Sequence, residues 1–381
     1  MKIKLVATCL FGLEHLLGEE INALGYERTE TIDGRVYFIA DEEGIALSNI
    51  FLRYAERVYI LVGSFGAATF EELFEGTKAL PWEAWIGVRD SFPVKGHSIR
   101  SALTSIPDCQ AIIKKAVASR LGEKYSLSWL PEDGVKYQIE FFLLSDRADL
   151  MIDTSGVPLH KRGYRPDSGA APIRETLAAA MAAISRPRED VLFCDPMCGS
   201  GTIPIEAAML FNKIAPGRSR AFAAESFPQI PGAVWARARE EAFDIEIDSG
   251  FKARASDIDA DCVAVAEANV KRAGVGKWVS VLREDFRRLR REEGVRGTIV
   301  TNPPYGERLM TPEQAERIYR EMGERFRAMS PWQVYVITPH RDFERLYGRR
   351  ADKVRKLYNG MIPCYLYQFF KKPAASDTKK S

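Results

Sequence analysis

Apolar residues along the chain recur at strand spacing in some stretches and at helix spacing in others, and the alternation sketches the elements. An apolar run near Ile3 to Thr8 predicts a strand, after which Leu13, Leu16, Leu17, Ile21 and Leu24 recur at helical spacing up to Gly25, where a helix should stop. Asp33-Gly34 lies between two strand-like arms within Glu27 to Ile39, with Val36, Phe38 and Ala40 alternating, which is a hairpin signal. A helix around Ile45 to Tyr54 and a strand at Val58 to Val62 complete a set suited to a ferredoxin-like sandwich.

A second α/β unit is expected from about Thr69: a helix over Phe70 to Leu80 ended by Pro81-Trp82, then a strand over Gly87 to His97 with a defect at Pro93. A helix from Cys109 to Leu121 carries Ile112, Ile113, Ala116 and Val117 on one face. Strands follow at Val135 to Leu144 and Ala148 to Asp153, with a turn at Thr154-Ser155-Gly156 and a third run at Pro158 to Arg162.

Beyond about residue 170 strands alternate with helices, the pattern of a doubly wound, Rossmann-like α/β sheet. Helices are predicted at Arg174 to Ile184, Ile203 to Phe211 and Ala260 to Ala273, the last ended by Gly274. Strands are predicted at Val191 to Cys194, Ala253 to Ser256, Val279 to Arg283, Thr298 to Thr301, Gln333 to Thr338 and Cys364 to Phe370. Residues 214–250 look like an insertion, and the lysine-rich end lacks an apolar anchor, which predicts a disordered tail over 372–381.

Composition narrows the function classes. At 381 residues the chain suggests two or three domains, and 54 Lys and Arg against 52 Asp and Glu exclude a uniformly polycationic coat. Any nucleic-acid partner must be held by local basic patches. Six scattered cysteines and four separate histidines spell neither a disulfide framework nor a zinc site, so no metal and a reducing, cytoplasmic setting are expected. No apolar run approaches the ~18 residues of a membrane span, and the first residues do not read as a leader; no membrane partner is expected.

The chemistry is concentrated at strand ends. Asp195-Pro196-Met197-Cys198-Gly199-Ser200-Gly201-Thr202 follows a buried strand and precedes a helix, so Gly199 and Gly201 allow a tight turn and close backbone approach to a ligand. An ordinary strand-to-helix turn reads the same way. The loop lacks the lysine of a phosphate loop and the third glycine of a dinucleotide fingerprint, which favours a small ligand without phosphates and disfavours a nicotinamide oxidoreductase. Asp257-Ile258-Asp259 ends the next strand; Asp257 suits both hydroxyls of a ribose and Asp259 suits a helix cap. Asp285 would accept from an adenine amine while Phe286 walls the ring, or Phe286 is plain core.

Thr301-Asn302-Pro303-Pro304-Tyr305-Gly306 sits at another strand end. Two prolines stiffen the backbone and remove two amide donors, leaving the Asn302 side-chain oxygen and the Pro303 carbonyl as fixed acceptors for an amino group. Tyr305 offers a face on which a flipped base can stack. Cys194 and Cys198 flank the glycine loop but occupy small-residue positions without further ligands nearby, and no catalytic histidine is assigned.

These motifs in this order resemble those of class I S-adenosylmethionine-dependent methyltransferases that act on amino groups. Upstream, Leu159-His160-Lys161-Arg162-Gly163-Tyr164-Arg165 and Ala171-Pro172-Ile173-Arg174-Glu175-Thr176-Leu177-Ala178 resemble the junction between a THUMP domain and its methyltransferase in RNA guanine-N2 methyltransferases. The chain resembles bacterial 23S rRNA m2G enzymes of the RlmL type, without the second module that larger fused relatives carry. The resemblance implies a ferredoxin-like domain at 1–60, an RNA-binding THUMP domain at 61–157 and a methyltransferase domain at 158–371. S-adenosylmethionine is then the cofactor, bound by Pro172, Asp195, Met197, Cys198, Gly199, Gly201, Asp257, Ile258, Asp285, Phe286 and Asn302, with Asn302, Pro303, Pro304 and Tyr305 catalytic. The implied partner is structured RNA, ribosomal before transfer RNA.

Lys114, Lys115, Arg120 and Lys124 could form a phosphate strip or simply a solvated helix face. Lys161-Arg162 with Arg165, and Arg287-Arg288 with Arg290-Arg291, are the better candidates for guiding RNA to the cleft. Two alternatives stay open: an adenine-N6 methyltransferase acting on DNA or RNA with the same tetrapeptide, and a non-catalytic RNA-binding or ribosome-assembly factor that keeps the fold. The target nucleotide and the oligomeric state are not legible.

Overall fold

The computed structural model describes residues 2–166, 173–305 and 311–370. They form two compact units. The first holds the chain up to Leu159, apart from Leu10–Leu16, together with Ser219–Glu241; the second holds Leu10–Leu16, His160–Arg218 and the chain from Ala242 on.

Seven strands build the first unit: β1 (Ile3–Cys9), β2 (Glu27–Ile32), β3 (Arg35–Ala40), β4 (Ala55–Gly66), β5 (Val94–Ile99), β6 (Ile139–Leu144) and β7 (Arg147–Asp153). They lie in one sheet in the order β2-β3-β1-β4-β7-β6-β5. Its helices are α1 (Glu14–Ala23), α2 (Glu42–Phe51), α3 (Phe70–Lys78) and α4 (Ile106–Tyr125). The hairpin expected at Asp33-Gly34 forms, with Gly34 at φ +74°. α2 starts earlier than the apolar spacing implied, because the Asp41 carboxylate accepts from the Gly44 amide and caps it. The Pro93 defect shortens the next strand: only Val94–Ile99 pairs in parallel with β6, and Ser91 makes a single bridge to Lys136.

Two side-by-side sandwiches were expected, and the sheet is continuous instead. β4 pairs with β1 through Ala55 to Ile60 and with β7 through Tyr59 to Gly66, so it runs across the boundary expected after residue 60. Buried Val6, Tyr37, Tyr59 and Met151 form one cluster across that seam. The Tyr37 hydroxyl donates to buried Asp149 at 2.5 Å.

The second unit contains α5 (Glu175–Ser185), β8 (Leu192–Asp195), α6 (Thr202–Phe211), α7 (Gly232–Asp244), β9 (Ala253–Asp257), α8 (Ala260–Ala273), β10 (Val279–Arg283), β11 (Gly297–Thr301), α9 (Pro312–Arg327), β12 (Gln333–Thr338), α10 (Phe343–Tyr347), β13 (Lys353–Asn359) and β14 (Ile362–Phe369), although most of α7 groups with the first. The sheet order is β10-β9-β8-β11-β12-β14-β13. β14 runs antiparallel to β12 and β13, and the other five strands are parallel. β8 has β9 on one side and β11 on the other, so the winding reverses there and a crevice opens beyond its carboxyl end.

On one side of this sheet the core joins Cys194, Ile299, Val334 and Val336 of the strands to Ala315, Tyr319, Met322 and Phe326 of α9. α5 is buried nearly all round through its alanines. The stretch read as an insertion divides: within the first unit Phe227 stacks on Tyr137 at 4.2 Å, and the Gln229 amide donates to the Trp85 carbonyl at 2.6 Å. The run at Pro158 to Arg162 makes no strand.

Candidate active site

Every strand-end motif of the second unit reaches the carboxyl edge of its sheet. Asp195 closes β8 and is 1 % exposed. The Met197 amide donates to its Oδ1 at 3.3 Å, and the Thr301 hydroxyl also favours its anion; burial outweighs both and pushes the carboxyl up to about 7. The turn that follows is tied to β9. The Cys198 amide donates to the Ser256 carbonyl at 2.9 Å, and the Gly199 amide donates to Asp257 Oδ2 at 2.9 Å. Gly199 has φ +51° with open space where a Cβ would stand. Gly201, at φ +76°, starts α6, and a Cβ there would come within 3.2 Å of Ala266 on α8.

Asp257 Oδ1 accepts from the Asp259 amide at 3.0 Å, and Asp259 caps α8 by accepting from Asp261. A carboxylate has about four acceptor positions, and the Gly199 and Asp259 amides take two of those on Asp257. Ile258 beside it is 59 % exposed, an apolar face unused by the core. Asp285 caps the short turn Phe286–Arg288 and pairs with Arg287 at 3.1 Å. Phe286 is 5 % exposed and meets Phe326 edge-on at 6.1 Å, in line with the core alternative of its two readings.

Asn302 follows β11 and is partly exposed, and among the described residues its side chain makes no hydrogen bond. Pro303 is buried, and Pro304 and Tyr305 are half-buried. The Tyr305 hydroxyl accepts from Asn359 Nδ2 at 3.2 Å, a tether from the end of β13 that sequence reasoning missed. Pro172 and Gly306 lie outside the described residues.

Two expected basic runs have other work. The Arg162 and Arg165 side chains are buried, not displayed: Arg165 pairs with Glu175 at 3.0 Å and donates to the Thr202 hydroxyl at 2.8 Å, and Arg162 lies 3.6 Å from Glu206. Tyr164 also donates to Glu206, at 3.0 Å. These contacts fasten the segment ahead of α5 to α5 and α6. In the first unit Lys114 pairs with Glu132, and Arg120 with Glu83, which removes two members of the α4 phosphate strip. Arg287 is held by Asp285 and Glu321, leaving Arg288, Arg290 and Arg291 exposed.

Burial pushes the Cys194 thiol up to about 12 and raises that of Cys198 as well, so both are packing groups. Among the described residues no cluster of His, Cys, Asp and Glu side chains is arranged to hold a metal, and no helix is long and apolar enough to cross a membrane.

The residues fit S-adenosylmethionine. Open space at Gly199, spare acceptor positions on Asp257 and exposed Ile258 suit a nucleoside, and the costly Asp195 anion suits a ligand that brings positive charge.

Comparison with known proteins agrees with this geometry. Residues 162–368 match the family described as "RMKL-like, methyltransferase domain", residues 4–59 the "RlmL ferredoxin-like domain" and residues 67–153 the "THUMP domain". The chain is 42% identical to "Putative RNA methyltransferase YpsC" of Bacillus subtilis (strain 168), over 97% of both chains. It is 31% identical to "Ribosomal RNA large subunit methyltransferase K/L" of Pseudomonas putida (strain GB-1), covering 98% of this chain and 53% of that one. The chain thus spans about half the length of such K/L relatives.

Among solved structures, a "predicted N6-adenine-specific DNA methylase" from Listeria monocytogenes superposes with a TM-score of 0.90 at 45% identity, over 97% of this chain and 96% of that one. SMU.472, "a putative methyltransferase complexed with SAH", gives 0.90 at 40% identity, over 98% and 99%. With a glycine loop, the Asp257 carboxylate and Asn-Pro-Pro-Tyr at one sheet edge and all three domain matches in order, the chain belongs to the RMKL-like family of S-adenosylmethionine-dependent methyltransferases.

Proposed function

We propose that this enzyme methylates the exocyclic N2 amine of a guanosine in structured RNA, with large-subunit ribosomal RNA as the substrate. The observation that carries the reading is Asn302-Pro303-Pro304-Tyr305 at the end of β11, next to the strand that bears Asp195. The match to a THUMP domain and the names of the YpsC and K/L relatives support RNA.

When bound, S-adenosylmethionine supplies a methyl group already activated on a sulfonium. The chain must supply alignment and a localised lone pair on nitrogen. A guanine amine is a poor nucleophile because its lone pair is delocalised into the ring. Asn302 Oδ1 and the Pro303 carbonyl accept from its two protons and favour the pyramidal form. Those hydrogen bonds strengthen as positive charge develops on nitrogen, so they act on the transition state more than on the ground state. Tyr305, tethered by Asn359, gives the displaced base a face to stack on. The surplus proton leaves to water.

The same acceptors suit an adenine N6 amine, and the name given to the Listeria structure favours that second reading. One experiment separates them: incubate the protein with methyl-labelled S-adenosylmethionine and RNA or DNA from a strain lacking the gene, digest, and identify the labelled nucleoside. N2-methylguanosine from RNA is expected, and Asn302→Ala should abolish most of the label while cofactor affinity is retained. N6-methyladenine overturns the base. Absence of label from either pool, with cofactor binding intact, overturns turnover itself and favours an assembly factor.

A further inference from the structure

The amino edge of the second unit's sheet, opposite the strand ends that carry Asp195 and Asn302, holds a groove of about 640 Å³. Its lining contains Arg186, Arg188, Arg291, Lys353 and Arg355, with Arg296 beside them, and no acidic residue. Arg296 pairs with Asp190 outside the groove. Among the described residues none of the other five cations has a carboxylate partner. They come from separate connections: Arg186 and Arg188 lead into β8, Arg291 precedes β11, and Lys353 and Arg355 project from alternate positions of β13.

A second observation points to a ligand. Gln368 of β14 lines the same groove and is 4 % exposed, yet its Nε2 has no hydrogen-bond partner; the buried Arg355 Nε lacks one too. Buried donors without acceptors are costly, and here they accompany uncompensated positive charge. The complement is an anion rich in acceptors. From β8 to β13 the sheet order spans four strand spacings, so the cations extend over about 19 Å at ~4.8 Å each. That is too long for one phosphate and suits a run of them.

We propose that this groove is a second nucleic-acid contact, holding successive backbone phosphates of RNA at the amino edge while the target base enters at the carboxyl edge. The proposal rests on RNA as the substrate and not on which base is methylated. Arg291, grouped by sequence with the cleft, belongs here instead.

The test is the salt dependence of binding a fluorescein-labelled RNA hairpin, between about 50 and 200 mM salt, by wild type and Arg188→Gln/Arg355→Gln. A control, Arg237→Gln/Arg345→Gln, removes the same charge from exposed positions elsewhere. Circular dichroism checks that both variants fold. The groove variant should lower the slope of log affinity against log salt by about 1.5, from a slope of roughly 0.7–0.9 per phosphate contact. Its affinity at the lower salt should fall at least tenfold, with the control near wild type. Equal slopes in all three proteins, or equal falls in both variants, overturn the proposal. A parallel titration with inorganic tripolyphosphate separates the sources: tripolyphosphate binding lost in the groove variant with RNA binding unchanged assigns a free phosphate ligand and overturns RNA. If wild type binds no RNA, the functional reading fails as well. If RNA is bound but adenine is methylated, only the base assignment falls.

Discussion

Asp195 carries an energetic penalty that can be measured. Its carboxyl lies at about 7 in the folded chain against an ordinary 3.8, with burial as the main cause. A shift of about 3 units at ~1.36 kcal/mol each makes about 4 kcal/mol. Because the folded value is the higher one, the proton favours the fold: this stabilisation is complete below about pH 4, declines as pH rises, and is gone above about 7. The Asp195→Asn variant keeps the shape of the side chain and cannot ionise. Its stability relative to wild type should therefore climb by ~1.4 kcal/mol per pH unit between about pH 5 and 7 and then level off. Urea unfolding of both proteins at several pH values reads this directly. A difference that does not vary with pH would refute the reasoning, since the carboxylate would then be as well solvated folded as unfolded. A cationic ligand offsets the same penalty, so wild-type affinity for S-adenosylmethionine should rise with pH up to about 7 and that of Asp195→Asn should stay flat.

Other expectations follow from single contacts. Asn359→Ala removes the amide that donates to the Tyr305 hydroxyl; at ~1 kcal/mol for one hydrogen bond, turnover should fall about fivefold, with cofactor affinity unchanged in a binding titration. Arg165→Ala leaves Glu175 buried without its cation, which should cost about 3–5 kcal/mol. Burial already raises the Glu175 carboxyl and Arg165 opposes that rise, so thermal unfolding of this variant should recover partly at acid pH, where the glutamate is neutral. Gly199→Ala puts a methyl group into the open space of the loop at φ +51°; calorimetry should show cofactor affinity about tenfold weaker, or ~1.4 kcal/mol, and thermal unfolding should show a loss of about 1–2 kcal/mol from the left-handed backbone.

Most of the second sheet was legible because its strands are short apolar runs punctuated by glycines and charged helix starts. Ala260–Ala273, Val279–Arg283 and Gln333–Thr338 coincide with their predicted spans. α9 was readable and overlooked: Thr311 and Gln314 form a capping box, and Ala315, Tyr319, Met322 and Phe326 recur on one face. β13 was hidden by its charges, since of Lys353 to Asn359 only Leu357 is buried. The site motifs were visible as residue types at strand ends. What their neighbours do was not. Arg162 and Arg165 look like a surface patch until Glu206 and Glu175, on two different helices, come beneath them. The groove's cations were equally obscure, because folding gathers them from separate connections and no local run announces them.

β4 has consequences for anyone wishing to divide this protein. Cutting after residue 60 would sever a twelve-residue strand in the middle of its ladder and leave raw edges facing β1 and β7. Exposed edges of that kind recruit other strands, so the two fragments should clump when made separately and remain soluble when joined. Hydrogen exchange should likewise report a single protected body across β1, β4 and β7, without a weak seam at the domain border. What looks modular in the sequence shares a single continuous sheet.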